Sequence, residues 1–265
     1  MSTATRFDSA GTLVDSAIDS PRFDYGYDGT SWINQGLLVE KQSTNLLANN
    51  TTYTVDALVP NPANDISNNH WFYSGTSSDD SGMRRLATPD ASMSILNGNN
   101  RFIKFLADTK TNTRTFSILA KPYLTAGQAI LYMSSGNASE IARSGYTLAN
   151  TSTTYRLKVT GVGTTATTSA LGTRYTLTHA VNLLAGFAQL EDGGVATSTI
   201  KTSGSAVTRS QDNLQLNLSN YTGSIKLTYK RQDTEVIETK WIDLTNSSNP
   251  NLSDYLDVRG LVIRN

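Results

Sequence analysis

The chain has 265 residues, 22 Lys and Arg against 22 Asp and Glu, a formal net charge of zero and no cysteine. That balance lacks the basic footprint of a protein that wraps nucleic acid, so DNA or RNA is not an expected partner. The missing cysteines exclude disulfides and thiolate chemistry, leaving packing, sheet pairing and subunit contacts to stabilise the fold. No stretch approaches the ~20 apolar residues of a membrane span, and MSTATRFDSAG has no basic region leading into an apolar run, so neither membrane insertion nor classical export is expected.

The first predicted elements lie in residues 6–47. Arg6-Phe7-Asp8 runs into Ser9-Ala10-Gly11, and Arg22-Phe23-Asp24 runs into Tyr25-Gly26, two short extended pieces each followed by a glycine turn. An Asp ahead of a turn accepts bonds from backbone N–H groups two residues on. Pro21 fixes its own φ and keeps Ser20 extended. Gly36-Leu37-Leu38-Val39 is an apolar patch that an isolated strap would expose, which favours burial against a sandwich or another subunit.

Residues 48–100 are dense in turn chemistry, with Asn61-Pro62, Ser81-Gly82 and Asn97-Gly98-Asn99-Asn100, around apolar islands at Trp71-Phe72-Tyr73 and 93–96. Strands are predicted at 101–106 and at 113–120, the latter with Phe116 and Ile118 on one face and ended by Pro122. Two more follow at 128–134 and 154–160, where Tyr155, Leu157 and Val159 alternate with Arg156 and Lys158. Residues 161–168 read as a small polar loop. The run VNLLAGFAQLE (181–191) reads as a central strand with a bulge or close approach at Gly186. Alternating segments at 214–218, 224–230, 236–244 and an apolar run at 254–264 predict an antiparallel meander with a turn at 232–234. Regular strand spacing without helical periodicity predicts an all-β chain with a sandwich or jelly roll.

Several of these segments together carry a resemblance. Phe7-Asp8-Ser9-Ala10-Gly11, Pro21-Arg22-Phe23-Asp24, Gly36-Leu37-Leu38-Val39-Glu40 and Ser43-Thr44-Asn45-Leu46-Leu47 follow one another as in the N-terminal signature of phage tail-fibre and minor virion structural proteins. A second block, Ala188-Gln189-Leu190-Glu191-Asp192-Gly193-Gly194 and on through Ile200 to Thr208-Arg209, is similar to that family as well. The resemblance spans roughly residues 4–212 and implies a jelly-roll β-sandwich akin to a carbohydrate-binding module. With the strand pattern beyond it, three parts are expected: an extended docking segment (1–47), the jelly-roll sandwich (48–212) and a small C-terminal β unit (213–265). It also implies a non-enzymatic virion protein, assembled in the host cytoplasm, contacting other virion proteins and a host-surface glycan as a homo-oligomer, with a trimer the leading arrangement. A capsid-surface decoration or head-fibre protein, and a glycan-binding module or glycan-cleaving enzyme, are the alternatives.

Site chemistry follows from residue types. Sugars stack on aromatic faces, which singles out Trp32, Trp71, Tyr73, Tyr123 and Tyr132 for glycan binding, against the reading that most aromatics of a β-rich chain are core or cross-strand partners. Arg84-Arg85 would suit an acidic glycan. Glycoside hydrolysis needs two carboxylates ~5–10 Å apart, for which the candidates are Asp79 with Asp80, Glu191 with Asp192, and Glu235 with Glu238; each reads as solvated, so no catalytic residue is assigned. His70 and His179 lack a nucleophile elbow and the further ligands that zinc needs. No cofactor is expected beyond a structural calcium ion, for which Glu191 and Asp192 are the weak candidates.

Overall fold

The computed structural model describes residues 4–17, 20–47, 83–87, 99–106, 111–123, 127–134, 140–163, 168–174, 182–213, 218, 223–230, 236–244 and 256–264. Among the described residues all regular elements are strands. They are β1 (Thr5–Phe7), β2 (Leu13–Asp15), β3 (Phe23–Tyr27), β4 (Trp32–Leu37), β5 (Ser43–Asn45), β6 (Arg84–Ala87), β7 (Asn99–Leu106), β8 (Thr113–Pro122) and β9 (Gly127–Ser134). Then come β10 (Glu140–Leu148), β11 (Tyr155–Val162), β12 (Thr168–Arg174), β13 (Asn182–Asp192), β14 (Val207–Arg209), β15 (Ser224–Lys230), β16 (Ile237–Asp243) and β17 (Leu256–Arg264). The chain divides into two compact units, one of residues 1–44, 197–200 and 208–265, the other of residues 45–196 and 201–207.

In the first unit β1 and β2 form a hairpin whose turn is tied by Asp8. Its Oδ1 accepts from Ala10 N and Thr12 N, both at 2.9 Å, the local bonding expected of an Asp before a turn. Asp24 behaves differently: its Oδ1 accepts from Phe7 N at 2.8 Å, fastening β3 to β1. The β3–β4 turn is instead held by Asp28, which accepts from Thr30 N and Ser31 N. Those bonds favour the carboxylate and hold Asp28 below its ordinary pKa. Gly11 has φ +75°, and a Cβ there would fall 2.1 Å from Trp32 Cε2, so only glycine lets the hairpin turn lie on the indole.

The sequence boundaries at 47 and 213 separate a strap from a tail, but both contribute to one sheet. Its order is β16-β15-β17-β4-β3, and β17 reaches β4 through Val258 opposite Leu37. A meander would place β16 in the middle, whereas β15 lies between β16 and β17. The burial pattern gives the reason. On β15, Ile225, Leu227 and Tyr229 are all buried, while β16 is exposed along most of its length and suits an edge. The apolar patch of residues 36–39 needs no second chain to cover it, since Leu38 and Val39 are already buried.

The second unit contains two four-stranded sheets, ordered β11-β8-β13-β6 and β10-β9-β12-β7. Phe116 and Ile118 of β8, Leu157 and Val159 of β11, and Leu183 and Leu190 of β13 share one core with Leu131 and Met133 of β9 and Leu148 of β10. Both sheets thus feed a single sandwich-like core, and Tyr155, Leu157 and Val159 face it as their alternation predicts. Tyr146 on β10 adds a polar tie between the sheets: its hydroxyl accepts from Lys158 N of β11 at 2.9 Å and lies against Lys158 O. β11 continues through Gly161 and Val162, paired with Arg114 and Thr113, so the predicted loop from 161 starts later.

β8 and β13 are buried on both faces, as central strands require. The bulge predicted at Gly186 is present, with the β13–β8 register broken between Gly186 and Gln189. The unusual backbone there belongs to Phe187, at φ 54°, rather than to the glycine. Gly11→Ala is expected to lower stability by about 1–3 kcal/mol, because it adds both a clash and a disfavoured φ. Chemical denaturation followed by tryptophan emission, which reports Trp32, checks this.

Candidate functional site

The most heavily built polar feature of the described residues is a buried ion cluster in the first unit. Arg22, just before β3, and Glu40, after β4, meet with Nη1 to Oε2 at 2.9 Å, and both side chains are almost wholly enclosed. Arg22 Nη2 also pairs with Asp212 Oδ2. Arg209 approaches the same carboxylates more loosely, at 3.6 Å from Glu40 and 3.8 Å from Asp212, and donates to Lys41 O at 2.8 Å. Ser198 completes the shell of Glu40, its N–H donating to Oε1 and its hydroxyl donating to Oε2 at 2.6 Å. Backbone bonds brace the cluster, with Glu40 N donating to Asp212 Oδ2 at 2.8 Å and Asp212 N donating to Glu40 O at 2.9 Å.

Two cations and two anions cancel, which is the condition under which charges survive removal from water. Burial opposes the Glu40 carboxylate, but the charges of Arg209 and Arg22 and the Ser198 bonds more than offset it, so Glu40 titrates below its ordinary value. Burial likewise opposes the Arg22 cation, and Glu40 and Asp212 outweigh it, leaving that guanidinium more firmly protonated. Both shifts move Glu40 and Arg22 away from neutral pH, so each keeps its charge there. Its chemistry is that of a clasp.

A second clasp lies in the other unit, at the β13 bulge. Leu46 N donates to Leu190 O at 2.9 Å. The Asn45 side chain, fully buried, donates to Ala188 O at 3.2 Å and accepts from Leu190 N at 3.2 Å. Asn45 thereby serves backbone groups beside the place where the bulge breaks the β8 ladder. Arg22, Glu40 and Arg209 had no assigned role in the sequence reading. The available signal was that each is a charged residue inside a block that otherwise reads as strand and turn.

The described residues singled out for glycan binding are divided between the two units. Trp32 is partly buried between Phe7, ring centroids 5.2 Å apart, and Tyr27, at 5.8 Å. Tyr123, partly buried after β8, and Tyr132, within β9 opposite Arg143, belong to the other unit. Trp71 and Tyr73 lie outside the described residues, as do Asp79, Asp80, Glu235, His70 and His179. The β6 strand carries Arg84 and Arg85.

Glu191 and Asp192 end β13 but do not offer a calcium pair. Glu191 is fully buried, and the half-exposed Asp192 already holds Arg114 Nε at 2.6 Å and Asn112 Nδ2 at 2.8 Å. A cation at Asp192 would sit beside the buried guanidinium of Arg114, and neighbouring strand residues point to opposite sides. Among the described residues no three His, Cys, Asp or Glu side chains converge as a metal site. Comparison of the chain with protein-family models and with curated protein sequences returned no match.

Removing one member of the ion cluster leaves the others buried and unbalanced. Glu40→Gln is expected to lower stability by about 3–5 kcal/mol, measured by urea denaturation. Because the folded pKa of Glu40 is depressed, its contribution is present above the unfolded value, about 4.3, and disappears as pH falls through the lower folded value. The stability gap between the parent protein and Glu40→Gln should therefore be full at neutral pH and close on acidification below that range. Asn45→Ala is expected to cost about 1–3 kcal/mol by leaving Ala188 O and Leu190 N without their side-chain partner, and hydrogen exchange at Leu190 reads the loss directly.

Proposed function

We propose that this chain is a non-enzymatic structural protein of a phage virion, a tail-fibre or tail-tip component that contributes to host attachment. The observation that carries the reading is where the family-like blocks meet. Arg22 and Glu40 come from the first block and Arg209 from the second, and they share one buried cluster. Asn45 and Leu46 from the first block bind Ala188 and Leu190 from the second. Residues that carry the resemblance are thus residues that bind the two blocks to each other, as expected if the two blocks are one structural signature.

The finer fold in this proposal is a jelly roll. Numbering β6 to β13 as strands 1 to 8, the two sheets run 1-8-3-6 and 2-7-4-5. That interleaving is the order produced by two Greek keys wound together. A non-catalytic role is supported by the engagement of the candidate carboxylates: Asp192 is paired with Arg114, Glu191 is enclosed, and Glu238 accepts from the Tyr229 hydroxyl at 3.1 Å. By analogy with fibres the protein is a homo-oligomer, with a trimer as the leading arrangement, that contacts other virion proteins and a host-surface glycan.

Electron cryo-microscopy of the intact particle, with the chain marked by a bound antibody fragment, tests the assignment. Label at the tail is the expected result. Label over the capsid surface would replace it with the decoration reading, and particles without the chain would overturn both.

A further inference from the structure

Three large apolar side chains that stand exposed among the described residues, Ile237, Trp241 and Val262, lie on one face of the five-stranded sheet. The register shows which face. Ile225, Leu227 and Tyr229 of β15 are buried on the core side, so Lys226 and Thr228, which alternate with them, stand on the outer side. Lys226 is directly opposite Trp241 of β16 and Val262 of β17, and Thr228 is directly opposite Thr239 and Gly260. These six positions form two adjacent rows across three strands, a patch about 10 Å wide and about 7 Å along the strands.

The patch holds polar groups for which the fold has no use. Lys226 is half-buried, and among the described residues it makes neither an ion pair nor a hydrogen bond. The same is true of the Thr228 and Thr239 hydroxyls. Trp241 interacts within the chain and still leaves 45% of its surface exposed, while Val262 is 59% exposed. Gly260 has no side chain, which leaves the patch low beside Thr228, as the close approach of a ligand requires. Lys230, opposite Ile237 in the next row, adds a second cation, so that with Asp243 at the other end the charges on this face sum to positive.

We infer that this patch binds an acidic oligosaccharide, its anionic group on Lys226, its hydroxyls on Thr228 and Thr239, and a C–H surface of the sugar on Trp241. An ammonium group suits an anion and an exposed ring suits the apolar face of a sugar, and an acidic saccharide presents both beside hydroxyls. Nucleic acid would need a longer row of cations. The inference rests on the host-glycan contact in the proposed function and gives that contact a place in the first unit and a sign of charge.

A glycan array that carries uronate-, sialate- and sulfate-bearing oligosaccharides beside their neutral counterparts, probed with the purified full chain, tests it. Binding to an acidic member and not to its neutral counterpart is the expected result. In isothermal titration with that oligosaccharide, Lys226→Gln and Trp241→Ala should each weaken affinity about tenfold or more, whereas Lys226→Arg retains it. Lys240→Gln, on the other face of β16, should leave affinity unchanged. Circular dichroism melts that match the parent's show that the variants are folded. Acidic-glycan binding that survives both Lys226→Gln and Trp241→Ala, or binding to neutral glycans alone, would overturn this site and leave the glycan contact standing. A folded parent chain that binds nothing on the array would overturn the site and the glycan contact together, with the virion assignment still decided by the labelled particles.

Discussion

Two guanidinium groups and the Glu40 carboxylate withdrawn from water, with the partly exposed Asp212 beside them, impose the strictest condition on this fold. A buried ion pair adds little net stability over a well-packed apolar substitute, but losing one partner leaves an uncompensated charge that the interior cannot solvate. The segments around Arg22, Glu40, Ser198, Arg209 and Asp212 must therefore arrive together. Arg22 and Asp212 are 190 residues apart in the chain. Such a cluster contributes less as a source of energy than as a filter on which arrangements of the first unit are allowed.

That filter suits the way the first unit is assembled from the two ends of the chain. Its five-stranded sheet joins the early strands β3 and β4 to the late strands β15 to β17. Hydrophobic contact alone would specify this weakly: its small buried clusters, such as Leu218, Ile225 and Leu244, offer modest areas and no directional information. Hydrogen bonds fix what burial leaves open, with Thr5 donating to Thr199 O at 2.7 Å and the Thr44 and Thr208 hydroxyls 2.8 Å apart. The second unit solves a different problem. Its core is broad and apolar, and the local difficulty is the β13 bulge, where Phe187 takes a disfavoured φ and the Asn45 amide supplies bonds beside the interrupted ladder.

Most strand positions were legible because they depend on a period of two and on turn residues, both local properties. β11 read correctly down to which residues face inward, and Gly186 marked its bulge. Strand order was not legible. Nothing within 224–264 says that β15 rather than β16 takes the centre, since that choice depends on which strands are covered and on the arrival of β4 from the far end of the chain. The same limit applied to the aromatic candidates: Trp32 reads as a displayed ring until the turn at Gly11 is seen lying on it. Glu191 and Asp192 read as a solvated pair until one is found enclosed and the other bound to Arg114.

By itself, the sequence determined the all-β character of the described residues, the absence of thiol chemistry, the positions of most described strands, and Asp8 and Gly11 at the first turn. Those features follow from φ, ψ and side-chain preferences acting over a few residues. Tertiary structure alone decided the sheet orders, the sharing of one unit by the two ends of the chain, and the meeting of Arg22, Glu40, Arg209 and Asp212. Each of those depends on contacts between residues far apart in the chain, whose charges and apolar faces have no preferred partner until the backbone has brought them together.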